Sequence, residues 1–137
     1  MKTSLTILAT FALLAAGGSV ALAADGAILL AGDQEVPAVT TTATGAGQIT
    51  VAADKSVHGS VKTKGIAGTM AHIHLAAPGV NGPVVITLTK SGDDEWSVPA
   101  DAKLSDDQFA AFQAGNLYVN VHSDAYMKGE IRAQLKP

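Results

Sequence analysis

The sequence predicts an all-β domain, a small sandwich or barrel of about seven to eight antiparallel strands with one short helix. Three observations predict it. From Ala24 onward, short runs rich in β-branched residues are separated by Gly, Pro, Asn and Asp. In Gly47-Gln48-Ile49-Thr50-Val51 and in Leu117-Tyr118-Val119-Asn120-Val121-His122, apolar and polar residues alternate with the period of a strand that has one face in a core. Only one segment carries helix signals, Ser105-Asp106-Asp107-Gln108 followed by Phe109, Ala110 and Phe112. There a capping box and two acids in the first turn open a helix that Gly115 closes.

The elements follow in chain order. Residues 1–23 read as a secretory signal peptide: Lys2, then an apolar run from Leu5 to Ala16, then Ala21-Leu22-Ala23 as a small-x-small cleavage site. Cleavage after Ala23 leaves 114 residues with 8 basic and 12 acidic side chains, a net charge of −4. That places the mature protein, residues 24–137, in the periplasm or outside the cell, with no membrane attachment after cleavage; an uncleaved anchor is the competing reading. Strands are expected near Ala27–Ala31, Gly47–Ala53, Ser56–Lys64, Ala71–Ala76, Pro83–Lys90, Leu117–Ser123 and Gly129–Lys136, with a hairpin turn at Asp54-Lys55. The Thr-rich stretch from Thr40 to Thr44 suits an extended loop or an edge strand. Lys62 and Lys64 share the polar face of one strand, where they guard an edge against pairing or attract a small anion. Phe109 and Phe112 lie on one side of the helix and pin it to the sheet. Trp96 and Tyr118 are expected as packing anchors.

Composition excludes several functions. The full chain has 137 residues, 9 Lys+Arg against 12 Asp+Glu, and no Cys. One domain is expected, and no basic surface is available for a nucleic acid. Disulfides, thiolate metal sites and a catalytic thiol are ruled out. Imidazole, thioether and carboxylate remain.

The histidines carry the chemistry. In Met70-Ala71-His72-Ile73-His74-Leu75, strand periodicity puts Met70, His72 and His74 on one face and Ala71, Ile73 and Leu75 on the core face. His122 projects from the polar face of a later strand whose core face is Leu117, Val119 and Val121. Two same-face imidazoles and a third from another strand are a metal-ligand pattern if the fold brings the strands together. Three imidazoles suit copper or zinc, and a nearby thioether favours copper, so Met70 is a further candidate ligand, followed by Met127. His58 is a possible fourth ligand. No His-Glu-x-x-His motif points to zinc hydrolysis. The competing reading, from another class, is a non-catalytic extracellular binding or adhesion module whose histidines are structural.

Four blocks add a resemblance: Ala71-His72-Ile73-His74, Gly79-Val80-Asn81-Gly82-Pro83-Val84-Val85, Ala114 through Ser123, and Gly129-Glu130-Ile131-Arg132. From about Ala27 to Leu135 the chain resembles the CHRD domain, named for chordin. It departs from that pattern at Met127-Lys128, at Ala133 and in the loop Leu75 to Pro78. The resemblance implies a Greek-key sandwich and no settled activity. A weaker likeness is to Cu/Zn superoxide dismutase, in which a strand His-x-His and a later strand-end His hold copper. His72, His74 and His122 match those roles, while the absence of a histidine between His74 and His122 implies a copper-only site. Under that likeness Arg132 orients a small anion such as superoxide; otherwise Glu130 and Arg132 form a polar ladder along the last strand. The oligomeric state is left open.

Overall fold

A computed structural model describes residues 25–137. The predicted leader, residues 1–23, lies outside the described residues. Nine strands form one antiparallel sheet: β1 (Ala27–Ala31), β2 (Thr44–Val51), β3 (Val57–Lys64), β4 (Gly68–Leu75), β5 (Val84–Thr87), β6 (Thr89–Gly92), β7 (Glu95–Ser97), β8 (Leu117–Ser123) and β9 (Ile131–Gln134). Helix α1 (Asp106–Gln113) precedes β8. The spatial order is β5-β4-β8-β9-β1-β2-β3-β7-β6. Because β5 and β6 are consecutive in the chain yet form the two edges, the sheet curls until it is nearly closed. The neighbours β4–β8 and β9–β1 are the long-range crossings of a Greek key.

Alternation fills the interior. Ile28 and Leu30 of β1, Ile49 of β2, Val57 and Val61 of β3, Ala71 and Ile73 of β4, and Val119 and Val121 of β8 are all buried in one core cluster with Ile131. Phe112 joins that cluster, with Phe109 packed against it, so the helix is pinned as expected. Its start is the capping box: the Ser105 side chain accepts from the Gln108 amide while the Gln108 side chain accepts from the Ser105 amide. The hairpin turn is also where it was expected, with Lys55 at φ 73° and the Asp54 carboxylate accepting from the Ser56 amide and hydroxyl.

Some expectations are corrected. The single run predicted over Pro83–Lys90 is two strands, broken at Leu88, which is buried and donates its amide to the Ala71 carbonyl. The short strand β7, built around the buried Trp96, was not anticipated. Thr40 to Ala43 belongs to the loop before β2, and only Thr44 is in the strand. Strand β3 is not an edge: it lies between β2 and β7, and Lys62 faces Glu95 with 3.9 Å between Nζ and Oε2.

The feature that builds the site is the second coat over β8, all seven of whose residues are buried. Leu117, Val119 and Val121 face the core. Tyr118, Asn120 and His122 face outward but lie under the loops after β1, β4 and β8. Arg132 of β9 ties one of these loops down, donating to the carbonyls of Ala77 (3.2 Å) and Val80 (3.0 Å) and to Asn81 Oδ1 (3.4 Å). Asn81 in turn donates to the Val36 carbonyl at 2.6 Å, joining the loop after β4 to the loop after β1.

Candidate metal centre

Register brings the three histidines together. Across β4 and β8, Met70 faces His122, His72 faces Asn120 and His74 faces Tyr118; across β8 and β9, Asn120 faces Arg132 and Tyr118 faces Gln134. All of these project from the outer face. Ring centroids are 4.9 Å apart for His72–His122, 5.5 Å for His72–His74 and 6.2 Å for His74–His122. One nitrogen from each ring lies within 4.8 Å of the others. This spacing runs against histidines dispersed over the surface.

The hydrogen bonds fix which nitrogens are available. His74 Nδ1 lies 2.9 Å from the Gly82 carbonyl and His122 Nδ1 lies 3.0 Å from the Met127 carbonyl. A carbonyl only accepts, so both Nδ1 atoms carry the proton and both Nε2 atoms present a lone pair. His72 Nδ1 is 3.0 Å from His122 Nε2 and is therefore the donor in that pair. His74 Nε2 is buried and makes no well-formed hydrogen bond, its polar neighbour being the Asn120 side chain, whose own Oδ1 is unpartnered. An orphaned imidazole lone pair in a buried site is where a cation compensates the lost hydration. A shift of the His72 proton to its other nitrogen frees the third lone pair without loss of charge.

The residues fit a metal ion in other ways. Metal–nitrogen bonds of about 2.0–2.1 Å let two ligands span at most about 4 Å, so any pair near the upper limit closes by less than about 1 Å. Carbonyls that hold Nδ1 of His74 and His122 are the outer support that fixes tautomer and ring orientation in metal sites. Burial lowers the pKa of all three histidines, with further lowering of His72 by His122 and His74, of His74 by Arg132, and of His122 by His74. The bonds from Gly82 and Met127, and the Asn120 side chain beside His74, pull the other way without reversing it. The rings are therefore neutral at pH 7, which is the form that binds metal.

The other predicted residues are placed less uniformly. Met70 is 46% exposed directly across the strands from His122, within the same patch. Met127 is 76% exposed and serves the site through its backbone carbonyl. His58 is not brought to the cluster: it sits on β3, with β8, β9, β1 and β2 between it and β4, and its ring pairs with Ser56 Oγ at 3.2 Å. Arg132 is 1% exposed, and its fork is engaged by Ala77, Val80, Asn81 and Gln134 rather than turned toward a bound anion. The predicted ladder between Glu130 and Arg132 is replaced by separate duties, since Glu130 accepts from Ser123 (2.5 Å) and Thr41 (2.7 Å).

Three contributors escaped sequence reasoning. Tyr118 is more than an anchor: its ring stacks on His74 at 4.8 Å and 2°, with the Arg132 guanidinium carbon 3.5 Å from the same ring's centroid. Asn120 is buried, and its Oδ1 has no partner. Glu35, 5% exposed, comes from the loop after β1, and burial pushes its carboxyl up to about 7 against the opposing pull of Asn120, Arg132 and the Val36 amide. A Cβ on Gly129 would fall 2.5 Å from both Glu35 Oε1 and Asn120 Nδ2, so only glycine lets these groups meet there. No periodicity or motif marks Glu35 in the sequence.

The fold and the site together define an antiparallel Greek-key β-domain with a three-histidine cluster able to hold a metal ion on its outer face. A family model for the CHRD domain matches residues 27–135. The chain belongs to the CHRD-domain family. No curated protein and no solved structure matches it.

Proposed function

We propose that this CHRD-domain protein is exported and binds copper through His72, His74 and His122, with Met70 as an additional thioether ligand, to store or carry the ion. The observation that carries the reading is the buried, unpartnered Nε2 of His74 beside the His72–His122 pair. Copper is favoured over zinc because the donors are neutral imidazoles with a thioether alongside, and no carboxylate joins the cluster among the described residues. Export is supported by the leader pattern of residues 1–23, and a mature N-terminus at Ala24 in the periplasmic or secreted fraction tests it.

The metal assignment is tested by copper and zinc stoichiometry of the purified protein beside His72→Ala/His74→Ala. Loss of copper in the double variant supports the reading. Unchanged copper retention refutes it and leaves the extracellular binding module with structural histidines. Bound copper would supply a one-electron Cu(II)/Cu(I) couple, the chemistry that a superoxide dismutase-like activity needs. The engaged fork of Arg132 argues for storage or carriage instead, because loop and strand oxygens already hold the four N–H groups of its two terminal nitrogens. Copper-loaded protein that speeds superoxide decay beyond a free-copper control would reverse that preference.

A further inference from the structure

We propose that Arg132 makes the histidine site prefer a monovalent over a divalent ion, and so Cu(I) over Zn(II) and Cu(II). This inference rests on the copper reading and adds the residue that sets its selectivity.

The charge of Arg132 is uncompensated. Arg132 is 1% exposed, yet every side-chain oxygen and carbonyl it bonds is neutral: Val80 O, Ala77 O, Asn81 Oδ1 and Gln134 Oε1. Among the described residues the side-chain ion pairs are Lys55–Asp106 and Lys62–Glu95, and neither involves Arg132. The carboxyl acting on it is Glu35, and it forms no ion pair with the guanidinium, while burial opposes its ionisation. A buried guanidinium without a full counter-charge projects its field through whatever is packed against it.

What is packed against it leads to the metal ligands. The guanidinium carbon is 3.5 Å from the Tyr118 centroid, and the parallel His74 ring is 4.8 Å beyond. Because β8 lies between β9 and β4, Arg132 and His74 flank Tyr118 from opposite sides. A positive charge on the His74 ring faces the guanidinium across the Tyr118 ring. An ion on Nε2 of that ring meets the same repulsion once per unit charge. At about 10 Å and an effective dielectric near 20, each added charge weakens binding on the order of tenfold. The three ligands are neutral and offer nothing in return, whereas a site built for a divalent ion gains from anionic ligands.

The test measures Cu(I) and Zn(II) affinities by chelator competition on the purified protein, alongside Arg132→Met, Arg132→Lys and Asn81→Asp. Arg132→Met removes the charge, and the Zn(II)-to-Cu(I) affinity ratio is expected to rise about tenfold. The matching tenfold change in Cu(II) over Cu(I) lowers the copper potential by about 59 mV for a one-electron couple. Arg132→Lys loses the fork but keeps the charge, and its ratio is expected to stay within about threefold of wild type. Asn81→Asp keeps Arg132 and its bonds to Ala77 and Val80, gives up the bond to the Val36 carbonyl, and sets a carboxylate beside Nη1, so it shifts the ratio in the same direction even if Arg132→Met fails to fold. A ratio unchanged in Asn81→Asp and in folded Arg132→Met overturns the inference alone. A wild-type protein that takes up neither ion overturns the copper reading beneath it.

Discussion

Glu35→Gln is expected to stabilise the metal-free protein at alkaline pH and to do almost nothing at acid pH. The carboxyl is taken from a pKa of 4.5 when unfolded to about 7 in the fold, chiefly by burial. Between those values the native state holds a proton that the unfolded chain has released, so stability falls as pH rises from 4.5 and levels off above 7. With each pKa unit equivalent to about 1.4 kcal/mol, the wild type loses about 3 kcal/mol across that window. Glutamine keeps the shape and cannot ionise. Urea melts of both proteins, in chelator, at pH 4.5, 6, 7 and 8.5 should therefore show a difference near zero at the acid end and about 3 kcal/mol in favour of the variant at the alkaline end. The three histidines titrate in both proteins and cancel in the difference. A difference that is flat across this range, or that grows toward acid, would refute the assignment of a raised pKa to Glu35.

Three further outcomes follow from other parts of the molecule. The lowered pKa values of His72, His74 and His122 mean that the unfolded chain takes up protons near pH 6.5 before the native one does, so metal-free Glu35→Gln loses stability as pH falls through 6.5. A urea-melt midpoint that rises toward pH 5 would contradict this. Gly129→Ala forces a Cβ to within 2.5 Å of Glu35 Oε1 and Asn120 Nδ2 at φ +126°, so it should cost more than about 1 kcal/mol and weaken metal binding by shifting the Met127 carbonyl from His122. A thermal melt and metal titration check both parts. Ile131→Ala, at a fully buried position where β9 meets the core, should cost about 2–5 kcal/mol in a urea melt without changing metal stoichiometry.

Strand alternation made the inner face of the sheet legible, and the same alternation put His72 and His74 together on the other face. His122 could be assigned to that face as well, because its strand reads Leu117, Val119, Val121 inward without interruption. The break at Leu88 could not be read, since Val84 to Thr89 is a continuous β-favouring run with no Gly or Pro to stop it. What breaks it is the crossing from one edge of the sheet to the other: the Leu88 amide still bonds Ala71 of β4, while Thr89 already pairs with Ser97 of β7. The supports of the site were hidden for the same reason. Gly82 and Met127 act through backbone carbonyls, and Glu35 arrives on a loop whose position depends on Asn81, Gly129 and Arg132. None of these contacts leaves a period in the sequence. Arg132 itself was legible as a polar residue on the last strand, but whether its fork met an anion or a loop depended on where Ala77 to Asn81 folds back.

The distribution of unsatisfied polar atoms ties these features to one another. Folded proteins leave few buried side-chain polar atoms without partners. Among the described residues there are four: Glu35 Oε1, Asn120 Oδ1, His74 Nε2 and Trp96 Nε1. The Trp96 nitrogen lies on the inner face, in the core beside Gly68. The other three belong to neighbouring groups, since Asn120 acts on both Glu35 and His74. A fold that satisfies Arg132 four times and anchors two imidazoles on carbonyls has donors and acceptors to spare nearby, so a deficit confined to this line is not a general shortage. A cation on His74 Nε2 removes the deficit at one end. It also lets Asn120 turn its amide wholly toward Glu35, so filling the histidine site should lower the Glu35 pKa from about 7. A carbon-13 titration of the Glu35 carboxyl with and without bound metal measures that shift, and an unmoved midpoint would show that the histidine cluster and Glu35 are independent.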